Sequence, residues 1–310
     1  MAELAREVGT RCGYVALLGA PNAGKSTLLN RLVGAKVSIV TPKVQTTRAR
    51  VLGIASAGDT QIVFIDTPGI IAPRKRLERA MVQAAWAGAR DADVVVVLVD
   101  ARGGIGADSR RLLDRLAAEG RQAVAAINKV DAVKRPGLLA LAAALDRETL
   151  ADGRKLFTDV FMISALTGDG VADLLHVLAR RMPAGPWLYP EDQAADMPLR
   201  LLAAEITREQ LFLQLRHELP YEIAVETEAW SERADGSVRI DQVIYVRRDS
   251  QRMIVLGKGG RQIKSVGSAA RAGLEAMLGQ RVHLFLHVKV REDWPEDPER
   301  YRDLGLDYDV

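Results

Sequence analysis

The chain has 310 residues, about twice the common single-domain length, so roughly two domains are expected. Its 48% hydrophobic and 27% charged residues suit folded domains and exclude an extensively disordered chain, and a single cysteine, Cys12, excludes an internal disulfide scaffold and fits a reducing compartment. A net charge of +3 does not by itself argue for a polyanionic partner, and the first dozen residues lack an apolar core while apolar runs such as 94–99 are far short of the ~20 residues that span a bilayer, so a cytoplasmic protein is expected.

Residues 14–19, YVALLG, are the first short apolar run of the kind that suits a strand buried on both faces. The run leads straight into GAPNAGKS at 19–26, which matches G-x-x-x-x-G-K-[ST], and then into residues 25–33 with helix-like apolar spacing. Glycines in such a loop let backbone N–H groups turn toward an anion, the helix N-terminus adds positive potential, and Lys25 supplies a compact charge to the β- and γ-phosphates of a nucleotide. Asn22, Ala23, Gly24, Lys25, Ser26 and Thr27 are therefore the candidates on the phosphate side, with Ser26 expected to ligate Mg²⁺.

The polar stretch 41–48, TPKVQTTR, has no periodicity and is expected to be a switch loop, with Thr47 closing on Mg²⁺ and Thr46 as the alternative. Residues 51–55 and 61–65 read as strands paired antiparallel through the turn at 57–59. Asp66, Thr67, Pro68 and Gly69 follow, so the Asp66 carboxylate should emerge at the same sheet edge as the phosphate loop and hold Mg²⁺ through a water, with the Gly69 amide placed to sense the γ-phosphate. Lys25, Thr47 and Gly69 are the candidates for catalysis, and Ser26, Thr47 and Asp66 those for the metal.

Helix 77–90, strand 94–99, helix 107–119 and strand 122–127 continue the alternation, and Asn128, Lys129, Val130 and Asp131 stand at the end of that last strand. Asp131 can accept hydrogen bonds from guanine N1–H and the exocyclic amino group. Adenine offers neither donor in that geometry and would strand a desolvated carboxylate. Asn128 and the stem of Lys129 brace the loop and cover the ring. After helix 138–150 and strand 160–163, Ser164, Ala165 and Leu166 add a backbone N–H for the guanine O6, and helix 170–180 completes the first half. This alternation implies a doubly wound, mostly parallel α/β sheet over residues 1–182, with its ligand at the carboxyl ends of the strands.

Four prolines within 182–198, MPAGPWLYPEDQAADMP, place a domain linker at 183–198. Beyond it come a helical stretch at 199–215, alternating segments at 221–230 and 237–247, a glycine-interrupted basic helical segment and a last strand at 281–290, which make a small α+β domain over 199–293. Residues 247–291 carry ten Lys or Arg against Asp249 and Glu275, a local balance of +8, and residues 292–310 carry eight acids against Arg300 and Arg302, a balance of −6. The acidic tail, 294–310, is expected to be a solvated end. VLGKGGRQIK at 255–264 places G-x-x-G before a helical pattern: Gly257, Lys258, Gly259 and Gly260, with Arg261 and Lys264, would clamp a sugar-phosphate backbone, while Ile254 and Ile263 line a groove for unstacked bases. That is the logic of a KH domain binding single-stranded RNA. His176, His217, His283 and His287 show no ligand spacing and are read as structural.

With GAPNAGKS, TTR, DTPG, NKVD and SAL in this order, residues 1–182 resemble the translation-factor-related GTPases. With the proline-rich segment and the basic G-x-x-G domain behind them, nearly the whole chain resembles the Era family of bacterial ribosome-assembly GTPases. The resemblance implies a P-loop GTPase domain followed by a type II KH domain and a Mg²⁺-dependent switch between GTP and GDP. It further implies single-stranded RNA near the 3′ end of small-subunit ribosomal RNA as partner, the small ribosomal subunit as target, and loose inner-membrane association. Asn22 resembles an asparagine that holds a monovalent cation in some members, which points to K⁺. Ile70 departs from the Ras-like pattern, which has glutamine there, and a side chain that cannot orient water predicts slow intrinsic turnover. A monomer is expected. The helices at 199–216 and 268–278 are read as packing on their own sheet, and a membrane-associated cell-cycle signalling GTPase is the alternative reading.

Overall fold

The computed structural model describes residues 9–43, 46–48, 50–73, 75–216 and 219–310, which fall into two units. Gln45 of the switch stretch and His217 lie outside the described residues.

The first unit comprises the described residues of 9–38, 47–196 and 305–310. Its strands are β1 (Arg11–Gly19), β2 (Val51–Ala57), β3 (Thr60–Asp66), β4 (Val94–Asp100), β5 (Ala123–Asn128), β6 (Phe157–Ile163) and the short β7 (Ala195–Asp196), in the sheet order β6-β5-β4-β1-β3-β2-β7. β1, β3, β4, β5 and β6 run parallel, and β2 is antiparallel to β3. The helices are α1 (Lys25–Val33), α2 (Arg76–Asp91), α3 (Ala107–Ala118), α4 (Arg135–Asp146) and α5 (Val171–Arg181). The valine-rich core of β4 is buried on both faces because helices cover both sides. Ala85, Trp86 and Ala89 of α2 and Leu112, Leu113 and Leu116 of α3 pack with Val95, Val97 and Ile127 in one cluster, while α1 and α5 pack with β2 and β3. Apolar spacing near 3.6 puts each helix's buried stripe on the sheet and leaves its charges in water.

The segment expected to be a linker is instead largely folded onto this unit. Gln61, a fully buried polar residue on β3, accepts from the Leu188 and Tyr189 amides at 2.9 and 3.1 Å and donates to the Tyr189 carbonyl at 2.8 Å. Cys12 N–H donates to the Pro183 carbonyl at 3.1 Å, and β7 pairs with β2. Prolines rule out a helix here, but they leave carbonyls to be paired, and buried polar groups in the sheet pair with them. The boundary between units therefore falls after Asp196 rather than across 183–198.

The second unit, the described residues of 39–46 and 197–304, is built from α6 (Leu199–Gln214), β8 (Ala224–Glu232), β9 (Val238–Val246), α7 (Asp249–Leu256), α8 (Arg261–Leu278) and β10 (Val282–Val290). β9 is central, antiparallel to β8 and parallel to β10. Ile206 and Leu211 of α6 and Val266 and Leu274 of α8 pack against Ile240, Ile244 and Val282 of the sheet in two adjoining clusters. Residues 39–43 and Thr46 group here because the Glu209 carboxylate accepts the Val40 amide at 2.9 Å and the buried Arg208 donates to the Thr46 carbonyl.

The tail also departs from a solvated end. Trp294 and Tyr301 are buried, Trp294 Nε1 donates to the Glu222 carbonyl at 3.2 Å, and α9 (Pro298–Asp303) places the Arg300 guanidinium 4.2 Å from the Tyr245 ring and 2.8 Å from Glu226. Two aromatic residues outweigh the surrounding acids, since each removes a large apolar area from water. Residues 305–310 group with the first unit, where Arg76 lies 4.5 Å from the Tyr308 ring. His176 and His287 are exposed and His283 half-buried, so these three are not packed core histidines.

Candidate functional site

The parallel strands deliver their carboxyl ends to one edge, and each ends on a residue of the site: Gly19 from β1, Asp66 from β3, Asn128 from β5, and Ser164 directly after β6. The loop after β1 needs the left-handed region twice, at Asn22 (φ 62°) and at Gly24 (φ 98°), which caps α1. Only glycine fits at the second, because a Cβ on Gly24 would lie 2.2 Å from Asn128 Nδ2. Lys25 is buried under this loop, its Nζ donating to the Gly19 and Ala20 carbonyls at 3.2 and 3.3 Å. Burial pushes its ammonium down to about 8, with the nearby Asp66 charge opposing the fall. Thr27 follows in the first turn of α1.

Four oxygen-bearing side chains converge beside Lys25. Asp66 Oδ2 accepts from Ser26 Oγ at 2.7 Å, Ser38 Oγ at 3.0 Å and Thr47 Oγ1 at 3.3 Å, and the Ser26 and Thr47 hydroxyls are 2.9 Å apart. Asp66 Oδ1 is buried with no hydrogen-bond partner. Burial pushes this carboxyl up, and Lys25 and the three hydroxyls oppose that only in part. A desolvated carboxylate with an unused lone pair beside two or three hydroxyls is a donor set that fits a hard divalent cation such as Mg²⁺. Thr47, not Thr46, enters the cluster: the Thr46 hydroxyl is engaged with Thr41 Oγ1 at 2.7 Å and the Lys43 carbonyl at 2.8 Å. Ser38 had no motif to mark it.

Gly69 lies against the phosphate loop, where a Cβ would be 3.0 Å from Pro21 Cα, and the next amide, Ile70 N–H, donates to the Gly19 carbonyl at 3.2 Å. Ile70 itself is buried in the apolar cluster under α2, which agrees with its inability to orient water.

On the base side Asn128 is a hub. Its Nδ2 donates to the Ala23 carbonyl at 2.8 Å, and its Oδ1 accepts from the Lys129 and Ala165 amides at 2.9 Å each. One side chain thus ties the phosphate loop to both base loops. Lys129 adopts φ 69°, and its ammonium donates to the Asn22 carbonyl and to Asp100 at 2.7 Å. Asp131 follows on an exposed turn. The Ala165 amide, one of the donors expected to face the base, is engaged by Asn128 here, and Arg31 of α1 donates to the Ala165 and Leu166 carbonyls. Arg31 and Asp100 were invisible to motif reading.

In the second unit Gly257 (φ 70°), Gly259 (φ 62°) and Gly260 (φ 74°) form the turn between α7 and α8. A Cβ on Gly257 would lie 2.6 Å from Gln262 Cβ, whereas nothing approaches within 4 Å at Gly259 and Gly260, which leaves that backbone open to a ligand. Lys258, Arg261 and Lys264 are exposed around the turn, and Ile254 (56% exposed) and the unexpected Met253 (66%) offer apolar surface beside it. Ile263, expected to line the groove, instead leans on the core formed by Leu211, Val255 and Val266.

A family model described as 50S ribosome-binding GTPase matches residues 14–129, and a KH-domain model matches residues 218–295. GTPase Era of Mesorhizobium japonicum is 59% identical over 307 residues, covering 99% of this chain and 97% of the relative, and GTPase Era of Sinorhizobium medicae is 60% identical over 304 residues, covering 98% and 96%. A crystal structure of Era in complex with MgGDPNP and nucleotides 1506–1542 of 16S ribosomal RNA aligns with a TM-score of 0.88 at 38% identity, over 96% of this chain and 99% of that one. An Aquifex aeolicus Era variant bound to GDP·AlF4⁻ aligns equally well, with the same TM-score and identity. With the phosphate loop, the strand-end carboxylates and the basic glycine turn in the places described above, the chain belongs to the Era family, GTPases that carry a C-terminal KH domain.

Proposed function

We propose that this GTPase is a nucleotide-controlled switch that binds single-stranded RNA at the 3′ region of small-subunit ribosomal RNA during assembly of the small ribosomal subunit. The observation that carries the RNA reading is the open glycine turn at 257–260, with three exposed cations around it and exposed Met253 and Ile254 beside it. Cations and close backbone approach suit phosphates, and an apolar wall suits splayed bases. The related Era bound to a 16S segment supports the same class of ligand.

Hydrolysis requires a water to attack the γ-phosphorus while the bond to the β–γ bridging oxygen breaks and GDP leaves. Lys25 neutralises charge gathering on the bridging and γ-oxygens, and the Gly69 amide reports on the γ-phosphate. Ser26, Asp66 and Thr47 would hold Mg²⁺, which when bound supplies positive charge against the β- and γ-oxygens. Asn128, Lys129, Asp131 and the segment Ser164, Ala165, Leu166 hold the base, with Asp131 reading its N1–H and amino group. Asn22, exposed at the rim of the loop, is the place for K⁺. Buried Ile70 leaves no side chain of that position to orient water, so turnover without a partner is slow.

The protein acts as a cytoplasmic monomer in this reading. Among the described residues no helix is long and apolar enough to cross a membrane, and α6 and α8 turn their apolar sides to the KH sheet. Sequencing of RNA crosslinked to the protein in cells tests the proposal. Enrichment of the 3′ end of small-subunit RNA is expected. Absence of that enrichment together with co-fractionation with membranes would replace it by the membrane-linked alternative.

A further inference from the structure

Asp100 closes β4, the strand between the one that feeds the phosphate loop and the one that feeds the base loop, and its ladder partner is Asn128. Two cations converge on its carboxylate. Lys129 Nζ lies 2.7 Å from Oδ2, and Arg102 Nη2 lies 3.0 Å from the same oxygen, with Arg102 Nε and the Arg102 amide at 3.3 and 3.0 Å from Oδ1. Burial alone would raise this carboxyl, but hydrogen bonds from Arg102 and Lys129 outweigh it and bring it down to about 2, so the anion persists at every working pH. The side chain of Arg102 is more than half exposed, and the Asp131 charge acts on it as well as that of Asp100.

We propose that Asp100 is a positioning and specificity-determining residue for the guanine base, holding Lys129 and Arg102 on its own carboxylate and so keeping the Asp131 carboxylate available to the base. The inference rests on Asp131 as the group that reads guanine. A planar guanidinium donates two parallel N–H bonds to a carboxylate, the same pattern that guanine presents through N1–H and its amino group. An arginine released near Asp131 is therefore a direct competitor for the base. Lys129 is held across the Asn22 carbonyl by the same anion, which fixes its stem over the position of the ring. Asp100 thereby acts through its two cations and touches neither base nor phosphate.

The test compares GDP and IDP, since inosine keeps N1–H and O6 but lacks the 2-amino group. Binding of both is titrated for wild type, Asp100→Asn, Arg102→Ala and the double variant. Asp100→Asn is expected to weaken GDP binding about two- to fivefold, the range for loss of a partly exposed charged contact, and to narrow the GDP-to-IDP ratio. Arg102→Ala alone is expected near wild type, and adding it to Asp100→Asn restores most of the loss, because the competitor is gone. A melting temperature within a few degrees of wild type qualifies each variant, with Asp100→Ser standing in if Asn fails that check. A loss equal for GDP and IDP and unrelieved by Arg102→Ala would overturn the proposal and leave Asp100 a structural brace. Asp131→Asn run alongside separates the two readings: if it leaves the GDP-to-IDP ratio intact, the role of Asp131 fails first, and if it abolishes the ratio while Asp100→Asn does not, only the role of Asp100 fails.

Discussion

Replacing Asn128 by alanine removes three hydrogen bonds made by one side chain that is 1% exposed. The bonds are neutral, so their net worth is about 1 kcal/mol each, and the Ala23 carbonyl and the Lys129 and Ala165 amides are left to find water. The bonds to Ala23 and Ala165 are buried, so this sum is a lower bound to which any group left unpaired adds. At least about 3 kcal/mol of destabilisation is expected, a large share of the roughly 5–15 kcal/mol that a domain has. For a unit of this size that is a fall of about 6–12 °C in melting temperature. GDP affinity should fall by about tenfold or more, because the phosphate loop and the base loops lose the tie that sets their spacing. Asn128→Asp sharpens the test. It keeps both acceptor bonds but turns the donor toward Ala23 into a carboxylate facing a carbonyl, so it should be no better tolerated than alanine. Thermal melts of the nucleotide-free protein and calorimetric titration with GDP read both quantities. A variant within 1 kcal/mol of wild type with unchanged GDP affinity, or an aspartate variant that outperforms alanine, would refute the hub.

Asp131→Asn exchanges two acceptors for one acceptor and an amide donor, which suits the C2 carbonyl of xanthine, so competition binding should show preference moving from GTP toward XTP. Lys25→Ala should sharply weaken triphosphate binding while circular dichroism stays native. Because the folded Lys25 pKa of about 8 is below its ordinary 10.5, folding is disfavoured below 8 and that penalty fades as pH rises from about 8 to 10.5, so the nucleotide-free wild type should gain stability over that window relative to Lys25→Ala. Asp66→Asn removes a buried charge with an unpaired oxygen, so melts of the nucleotide-free protein should be unchanged or higher while the stabilisation by Mg²⁺ and GTP, about 2.7 kcal/mol at a hundredfold excess over Kd, is lost. Lys258→Asp with Gly259→Asp should abolish RNA binding in fluorescence anisotropy and leave GTP binding intact, and only the wild type should show the salt dependence of about −0.7 per phosphate contact.

The nucleotide motifs were legible because their chemistry is local. A loop that wraps a phosphate needs its glycines and lysine within eight consecutive residues, and β1 and α1 flank it as the pattern requires. The KH order was legible for a similar reason, since the G-x-x-G turn must sit between two helices and did. What escaped were contacts made across the sequence. Gln61 stands in an apolar run, and nothing nearby says that it will capture the backbone of residues 188 and 189 and turn an apparent linker into part of the first unit. Arg208 and Glu209 look like the polar face of a helix, yet they hold the carbonyl of Thr46 and the amide of Val40 in a segment some 165 residues earlier in the chain. The charge of the tail suggests a solvated end, whereas the buried Trp294 and Tyr301 decide its packing.

Asp100 carries in the sequence the same positional signal as Asp66 and Asn128. Asp66 and Asn128 stand out in the sequence because a polar residue directly after a buried apolar run must emerge at the carboxyl edge, where the ligand lies. Asp100 directly follows the run at 94–99 and meets the same condition, but no named motif covers it. The strand order then supplies what position in sequence could not: β4 lies between β1 and β5, so its last residue stands beside both the phosphate-loop side and the base side, bonded to the Lys129 that also holds Asn22. In a doubly wound sheet, the terminal residue of the central strand is thus a functional candidate on topology alone, whether or not a motif names it.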